Sequence, residues 1–444
     1  MISQEPVIRV GIFEQYQEVR GELVGRFNID HNIIVHGEFH AVVESGEVVM
    51  YGGKGIELLR AREIRCIPSE DCKFVLHDVA IGINFHWERR ESQRFEGGLT
   101  LLVRENGTIT AINEVPVEKY LTSVISSEMS AEAPIELLKA QAITSRSWLV
   151  AMLEQKQRHS QFGVPSQRTH RTETELTRWY DREDHDVYDV CADDHCQRYH
   201  GVSKIISEAA REAVAATRGV FLVHGDEICD ARFSKACGGR TELFEHAWAD
   251  TPVPYLTSVS DASVEFAPVN TTDEVRAWII SKPDAYCNTT HGAVLRQVLP
   301  SFDRETTDFF RWSIRYTREE LEELIFKKSG FDFGTLTALT PLERGPSGRI
   351  YRLKIEGTKL TLTVGKELEI RRWLSHSHLY SSAFIIETER AADGTIAAFT
   401  FKGGGWGHGV GLCQIGAAVM AIKGFVAEEI VNHYFRNAHL ATLY

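Results

Sequence analysis

The sequence predicts an α+β fold, in which a β-rich N-terminal part precedes a helical hairpin and mixed sheets with packed helices. Residues 5–115 alternate apolar and polar side chains in short runs such as VIRVGIF and LTLLVREN, which is typical of half-buried strands. Residues 116–155 instead repeat apolar side chains every three or four positions, as amphipathic helices do. Strand-like runs return through residues 350–402, before a glycine-rich loop and a closing helix.

Local signals predict the elements between these regions. Residues 203–216 predict a helix that is followed by Gly219, and REELEELIFKKSG predicts a helix that ends at its glycine. The polar residues 156–185 predict a mobile insertion. We therefore expect four parts: a β-rich region at 1–115, a catalytic core with a metal loop at 116–265, a second lobe of helices and strands at 266–400, and a Gly-rich loop with a closing helix at 401–444 that completes the core.

Composition and charge exclude several classes of protein. The chain of 444 residues is 43% hydrophobic and 25% charged, which is the balance of a globular protein with a sizeable core. A net charge of −13 without a basic stripe argues against a nucleic-acid partner. No apolar run approaches the about 20 residues that span a membrane. The start, MISQEPVIRVGIF, lacks the basic and apolar regions of a signal peptide.

The most informative segment is the predicted helical hairpin at residues 115–148. Pro116 suits the first turn of a helix, because its missing N–H would be unpaired there. Glu128 lies seven residues after Leu121 on the apolar face, near the helix C-terminus. Burial and the negative end of the helix dipole both raise a carboxyl pKa, which suits a general acid near neutral pH. The alternative is a glutamate at a helix end whose carboxylate reaches water.

The second helix of the hairpin carries two cations on one side. Lys139 and Arg146 are seven positions apart, or two helical turns. With the preceding carboxyl group they would line a polar cleft. The alternative is a solvated face with local ion pairs, such as Glu136 with Lys139.

The segment KGGGWGHGVGLCQIGA at residues 402–417 is unusually rich in glycine. Such density indicates turns with positive φ, or a close approach of another backbone or a ligand. The segment is not a Walker loop, since no Gly-Lys-Ser/Thr follows. Trp406 and His408 project from it, and a tryptophan beside glycines suits a sugar platform. A strained structural turn with Trp406 buried is the alternative.

A short polar segment, DREDHDVYDVCADDHCQRYHG, has the composition of a metal loop. His185, Cys191 and Cys196 fall within twelve residues and suit one tetrahedral zinc, completed by water or by His195. Ligands this close in sequence indicate a structural metal that folds a loop. A disulfide between the two cysteines, or free thiols, are the alternatives.

The other cysteines show no disulfide framework and do not decide the compartment. Cys66 and Cys72 are close enough in sequence to pair. The remaining four are interpreted as scattered thiols: Cys229, Cys237, Cys287 and Cys413.

In this order, these segments resemble the SpoIID/LytB family of bacterial cell-wall proteins. The matching segments are VPVEKYLTSVISSEM with LLKAQAITSRSW, DVCADDHCQRYHG, AVAATRGVFLVHGDEICDARFSKACGGRTE, WADTPVPYLTSVSD, GRIYRLKIEGT, and GGGWGHGVGLCQIGA before EEIVNHYF. The resemblance covers most of residues 5–444. It implies a lytic transglycosylase that acts on peptidoglycan glycan strands without stem peptides. LytB-like members are instead named as enhancers of a separate amidase.

The resemblance also implies roles for individual residues. It places the catalytic acid at Glu128, its charged neighbours at Lys139 and Arg146, and one structural zinc at His185, Cys191 and Cys196. Candidate sugar contacts, each with core packing as its alternative, are Tyr199, Tyr255, Trp406, His408, Gln414 and Tyr434.

The sequence departs from the family pattern at three points. Met-Ser follows Glu128 where Met-Pro is usual, and Ser-Trp follows Arg146 where Thr-Tyr is usual. Cys237 precedes the GGR run where serine is frequent. This cysteine raises a rival function, a hydrolase or transpeptidase with Cys237 as nucleophile and His408 or His246 as base. A small buried residue is the alternative.

The expected reaction needs one carboxyl group, whereas hydrolytic glycosidases normally use two. Glu128 would protonate the oxygen between MurNAc and GlcNAc, and would then accept the proton of the C6 hydroxyl as a 1,6-anhydro ring closes. Lys139, Arg146 and Arg240 would read the lactyl carboxylate that loss of the stem peptide exposes. The alternative function is a non-catalytic glycan-binding module that stimulates a cell-wall amidase. The substrate implies a location outside the cytoplasmic membrane, in the periplasm or cell envelope.

Overall fold

The computed structural model describes residues 2–29, 33–81, 89–130, 132–162, 169–179, 185–193, 195–203, 208–269, 271–299 and 306–444. The α+β prediction is confirmed. By internal contacts the chain forms two compact units. The first unit comprises Met1–Ala131, Asp184–Val220 and Thr442–Tyr444, and the second comprises Glu132–Glu183 and Phe221–Ala441. The four parts expected from the sequence are a different kind of subdivision and stay a prediction.

The predicted β-rich N-terminal region is confirmed. Its elements are β1 (Val7–Tyr16), β2 (Glu18–Ile29), β3 (Ile33–Glu44), β4 (Glu47–Gly52), β5 (Glu57–Ala61), β6 (Glu63–Pro68), β7 (Lys73–Ile81), β8 (Arg89–Glu96), β9 (Gly98–Val103), β10 (Ile109–Pro116) and the following helix α1 (Val117–Glu128). In β2, Leu23, Phe27 and Ile29 are buried between more exposed neighbours, as expected where one face of a sheet covers a core.

The chain continues through α2 (Ile135–Phe162), β11 (Thr169–Arg171), β12 (Glu175–Arg178), β13 (Val190–Cys191) and α3 (Glu208–Ala216). The helix expected at 203–216 is confirmed over 208–216, while residues 204–207 lie outside the described residues. The large sheet of the first unit runs β13-β1-β10-β9-β6-β2-β3-β4-β5, and β7 pairs with β2 and β8. The pairing of β13 with β1 is parallel and anchors Cys191 opposite Gly11.

The remaining elements are β14 (Val220–His224), β15 (Glu227–Ile228), β16 (Phe233–Ser234), α4 (Phe244–Ala247), α5 (Thr272–Ser281), α6 (Gly292–Val298), β17 (Arg311–Thr317), α7 (Arg318–Ser329), β18 (Leu336–Arg344), β19 (Ile350–Gly357), β20 (Thr361–Gly365), α8 (Glu367–Trp373), β21 (Phe384–Arg390), β22 (Ile396–Gly404), β23 (Leu412–Cys413), α9 (Gln414–Ile422), α10 (Ala427–Tyr434) and β24 (His439–Thr442). The predicted helix α7 is confirmed. Thr317 and Glu320 form its capping box, and Gly330 ends it with φ 76°.

The second unit contains several small sheets rather than one large one. The longest has the order β11-β12-β20-β19-β18, another has the order β17-β22-β21, and β16 pairs with β23. The mobile insertion expected at residues 156–185 is wrong where the structure describes it. Residues up to Phe162 extend α2, and β12 pairs in parallel with β20. Leu176 of β12 joins the apolar core of this sheet, a long-range pairing that local polarity does not reveal.

Within the described ranges, none of the helices combines the length and the apolar character required to cross a membrane.

Candidate functional site

Glu128 is the last residue of α1. Pro116, expected in the first turn, instead precedes the helix as its N-cap, with ψ 145°. Leu121 and Ile125 are fully buried, while Glu128 is half-buried, so its carboxyl group lies at the boundary of the core. Its Oε1 accepts a hydrogen bond from the backbone N–H of Arg198 at 3.4 Å. The position expected for Glu128, near the helix C-terminus, is confirmed.

Four side chains converge in the loop that was expected to bind a metal. His185 Nε2 lies 3.4 Å from Cys196 Sγ, and His195 Nδ1 lies 3.5 Å from Cys196 Sγ and 3.8 Å from Cys191 Sγ. A tetrahedral zinc, with Zn–S about 2.3 Å and Zn–N about 2.0 Å, requires nitrogen and sulfur ligands about 3.5 Å apart. All four ligand atoms lie within 4.8 Å of one another, so the cluster could hold a metal ion.

A disulfide between Cys191 and Cys196 was one alternative to a metal in this loop. Both cysteines are free thiols, so the disulfide is not formed. Hydrogen bonds with Cys196, and then with His185 and His195, hold the pKa of the Cys191 thiol well below its usual value against the effect of burial. The thiolate is the form that binds metals. The fourth ligand, for which the sequence left water or a histidine open, has a candidate in His195.

The sheet fixes the start of the metal loop. Asp189 Oδ2 accepts the backbone N–H of Arg9 at 2.9 Å, next to the pairing of β13 with β1. The ring of Tyr188 packs on the His185 ring with centroids 4.4 Å apart. Gly11 makes room for this tyrosine, because a Cβ there would lie 2.6 Å from the Tyr188 ring.

The end of the metal loop contacts α1 at two points. The N–H of His200 donates to Ser123 Oγ at 3.1 Å, one turn before the Glu128 end of the helix, where Arg198 donates to the carboxylate. Because Cys196 is only two residues from Arg198, a metal bound at the loop would hold the donor that orients Glu128. The sequence did not indicate these backbone contacts.

Tyr199 lies in the core of the first unit. It is 2% exposed, stacks on Tyr120 with centroids 5.1 Å apart, and donates its hydroxyl to Asn113 Oδ1 at 2.5 Å. These contacts favour the core-packing alternative over a sugar contact.

We expect Tyr199→Phe to lower the free energy of unfolding by about 1–3 kcal/mol, because the buried Asn113 oxygen loses its donor. Tyr120→Phe is the matched control. Within the described residues, the buried Tyr120 hydroxyl has no hydrogen-bond partner, so its removal should be nearly neutral. Urea unfolding of the two variants measures the difference. A Tyr199→Phe protein of unchanged stability that binds glycan more weakly would restore the sugar-contact role.

The two cations of the second helix differ in exposure. Lys139 has a side chain that is 27% exposed, and its Nζ donates to Glu136 Oε1 at 2.8 Å. This is the local ion pair that the sequence offered as an alternative. Arg146 is completely buried, so a solvated face is wrong for Arg146, and its burial does not favour direct contact with a glycan.

Arg240 and Tyr255 both contact neighbouring loops of the second unit. The Arg240 side chain is 7% exposed, donates to Ser258 and Ser260 at 3.0 Å each, and pairs with Glu265 at 2.9 Å. Tyr255 is half-buried, and its hydroxyl accepts the N–H of Asp230 at 2.9 Å. Arg240 therefore has internal partners for its charge, whereas Tyr255 keeps an accessible face.

Both predicted side chains of the glycine-rich loop are partly accessible. Trp406 is half-buried and stacks on Tyr380 with centroids 4.1 Å apart. His408 is also half-buried, and its Nδ1 accepts the N–H of Val410 at 3.0 Å. Burial, and then the positive charge of Arg232, lower the pKa of His408 well below its usual value. Its ring is therefore neutral at physiological pH, which suits a hydrogen-bonding or stacking role rather than a cationic one.

The last two candidate sugar contacts are core residues. Gln414 is 2% exposed, and Tyr434 is fully buried, with its hydroxyl donating to Asp261 Oδ1 at 2.6 Å. Their burial favours the core-packing alternative for both.

The cysteine that raised the rival hydrolase is not accessible. Cys237 is 2% exposed, and burial raises the pKa of its thiol well above the usual value. A nucleophilic cysteine needs a lowered pKa and an open face. The burial of Cys237 therefore argues against the role of a nucleophile and favours the alternative of a buried residue.

Sequence reasoning missed a second cluster in which three of the scattered thiols meet. Cys237, Cys287 and Cys413 converge with Asp261, and their ligand atoms lie within 4.8 Å of one another. All four residues are buried, and the cluster could hold a metal ion. Successive residues of this cluster are 24, 26 and 126 positions apart along the chain, so no short spacing motif indicates it.

Comparisons with known proteins match the segment that contains Glu128 and the metal loop to a protein family. Residues 105–224 match the Stage II sporulation protein family (SpoIID), and residues 242–411 match a domain of unknown function, DUF8618. The chain is 25% identical to the Stage II sporulation protein D of Bacillus amyloliquefaciens, over 74% of this chain and 76% of that protein. It is 26% identical to the same protein of Bacillus subtilis, again over 74% and 76%. An uncharacterized protein of Brachyspira hyodysenteriae is 24% identical over 77% and 71%.

Proposed function

Because this chain belongs to the SpoIID family, which includes lytic transglycosylases, we propose that it cleaves MurNAc–GlcNAc bonds of peptide-free peptidoglycan strands. One observation carries the proposal. The Glu128 carboxyl group lies half-buried at the end of α1 and accepts an N–H from the metal loop. A single carboxyl group held in this way suits a side chain that serves as general acid and then as general base.

Glu128 acts first as an acid and then as a base. As the acid it gives its proton to the oxygen that bridges MurNAc and GlcNAc, and the glycosidic bond breaks as positive charge develops at the MurNAc C1. As the base it takes the proton of the C6 hydroxyl, whose oxygen bonds to C1 and closes the 1,6-anhydro ring. Both proton transfers use the same carboxyl group, so no second catalytic carboxylate is needed.

The metal loop supports this chemistry without entering it. Two thiolates and two imidazoles suit a single tetrahedral zinc, and the spacing of His185, Cys191, His195 and Cys196 fits its ligand distances. Four protein ligands leave no open position, which is the pattern of a structural zinc. The four ligand residues, when bound to such an ion, would hold residues 196–200 in place, and with them the Arg198 N–H that orients Glu128.

The preference for strands without stem peptides follows from the lactyl carboxylate that peptide removal exposes. Of the three cations proposed to read this anion, Arg146 and Arg240 are buried, whereas the Lys139 side chain is 27% exposed. We therefore assign the reading of the carboxylate to Lys139, with its ion pair to Glu136 exchanged for the substrate. The site of action would lie outside the cytoplasmic membrane, where such strands occur.

Lys139→Gln should raise KM for peptide-free strands by roughly fivefold, as expected for loss of about 1 kcal/mol from an accessible ion pair. On strands whose lactyl carboxylates are converted to amides, Lys139→Gln and the wild type should have the same KM. Lys354→Gln is the matched control, because Lys354 is also partly exposed and paired with a nearby acid, Glu356. Equal losses on the charged and the amidated strands would contradict the assignment.

Mass spectrometry of peptide-free strands after incubation with the protein tests the proposed reaction. Products that end in 1,6-anhydro-MurNAc support it. Reducing ends would indicate a hydrolase instead. Intact strands that remain bound to the protein would favour the non-catalytic module that stimulates a cell-wall amidase, and addition of an amidase would then test that function.

A further inference from the structure

We propose that Cys237, Asp261, Cys287 and Cys413 bind a second structural zinc ion, which links the two ends of the segment at residues 242–411. This site is separate in sequence from the metal loop and lies within the second unit. The proposal does not depend on the catalytic activity. It rests on the distances between the four side chains, their burial, the donors that surround them and their position in the chain.

The distances fit the spacing of ligands around a tetrahedral metal. Cys237 Sγ lies 3.7 Å from Cys287 Sγ. Two thiolates on a zinc with Zn–S about 2.3 Å are about 3.8 Å apart, whereas a disulfide requires about 2.0 Å. All four ligand atoms lie within 4.8 Å of one another, as the corners of one coordination tetrahedron do.

Backbone N–H groups already point at the sulfur atoms. Cys413 Sγ accepts from the N–H of Cys237 at 3.2 Å and from the N–H of Gly416 at 3.4 Å. Cys237 Sγ accepts from the N–H of Gly239 at 3.4 Å. Such donors stabilise thiolates, and they are the outer contacts that orient ligands around a metal.

The carboxyl group of Asp261 is oriented in the same way. Oδ2 accepts the N–H of Cys287 at 2.8 Å, and Oδ1 accepts the Tyr434 hydroxyl at 2.6 Å. Gly416 leaves the space for this pair, because a Cβ there would lie 2.1 Å from Asp261 Oδ1. A carboxylate that is fully buried without a charged partner would be costly, and a bound cation supplies that partner.

Charge balance around the cluster also favours a bound dication. A zinc ion held by three thiolates and one carboxylate carries two surplus negative charges. Two guanidinium groups contact the loop that supplies the first ligand. Arg311 donates to Gly238 O at 3.0 Å, and Arg349 donates to Cys237 O at 3.1 Å. Arg349 is fully buried, so its charge acts with little screening by solvent.

The chain order indicates what this metal would do. Cys237 and Cys413 lie just outside the segment at residues 242–411. Cys413 is in β23, and Cys237 follows β16, the strand that pairs in parallel with β23. Asp261 and Cys287 lie inside the segment. The ion would therefore join the two ends of the segment to two of its own loops. Four protein ligands and full burial leave no position for substrate, which indicates a structural zinc.

Zinc content of the purified full-length protein tests the proposal. We expect about two equivalents per chain in the wild type, about one in Cys413→Ser, and about one in Cys196→Ser, which disrupts only the metal loop. Cys229→Ser is the matched control, because Cys229 is fully buried in the same unit but belongs to neither cluster. It should keep both equivalents. A wild type with about one equivalent that Cys196→Ser removes entirely would overturn the proposal while leaving the metal loop intact.

A second measurement covers the case in which Cys413→Ser does not fold. The Cys196→Ser protein is depleted of zinc and titrated with cobalt(II), whose absorption reports tetrahedral coordination and thiolate ligands. We expect one tight cobalt site with the spectrum of a thiolate-rich tetrahedron. Absence of that spectrum, or a Cys237–Cys287 disulfide in a non-reducing peptide map of the wild type, would overturn the proposal.

Discussion

Replacing Glu128 by glutamine is expected to lower turnover on peptide-free strands by about 10²–10⁴-fold, which is the contribution of a positioned acid or base. Glutamine nearly preserves the shape of the side chain and still accepts the Arg198 N–H, so the helix end and the loop should stay in place. Strand affinity should therefore be unchanged. The measurement is the rate of formation of 1,6-anhydro-MurNAc ends, with strand binding determined separately.

Glu208→Gln is the matched control for this substitution. Glu208 belongs to the same unit, and its carboxylate forms an exposed pair with Arg211. The same change of charge there should leave turnover as it is. If Glu128→Gln keeps full activity, Glu128 is not the catalytic acid, and the proposed transglycosylase mechanism is contradicted.

The sequence was sufficient where one stretch of chain carries the whole signal. The apolar spacing in α1 predicted the place of Glu128, and the glycine after α7 predicted where that helix ends. The metal loop belongs to the same class, because its two cysteines and its histidine lie within twelve residues. Local periodicity and short ligand spacing can be read from the sequence alone, because they do not depend on which distant segments meet in the fold.

The sequence failed where distant segments decide the outcome. Within the polar stretch at residues 156–185, β12 forms a strand because it pairs with β20, which lies almost two hundred residues later in the chain. Arg146 was expected to line a polar cleft but is fully buried, since periodicity does not say what covers a helix. The Cys237 cluster is the clearest case. Its four residues come from segments that are far apart in sequence, and only the fold brings them to one point.

Loss of the loop metal is the second large effect, because it should remove activity without touching the catalytic carboxyl group. In His185→Ala or Cys196→Ser the loop loses one of its proposed metal ligands, so residues 196–200 should no longer be held and the Arg198 N–H should no longer orient Glu128. A displacement of about 1 Å at a catalytic group costs on the order of 10²-fold in rate. We expect a loss of that size, together with the loss of one zinc equivalent.

Comparison of three variants separates positioning from chemistry. Glu128→Gln should keep its zinc and lose its turnover, whereas His185→Ala should lose both. Cys72→Ser, which changes a partly exposed thiol of the same unit outside the cluster, should lose neither. Hydrogen exchange of the 196–200 amides supplies the readout that activity cannot. Faster exchange in His185→Ala means that the ion orders the loop. Unchanged exchange with lost zinc would show that the backbone contacts to α1 hold the loop without metal, and the positioning role would then have to be abandoned.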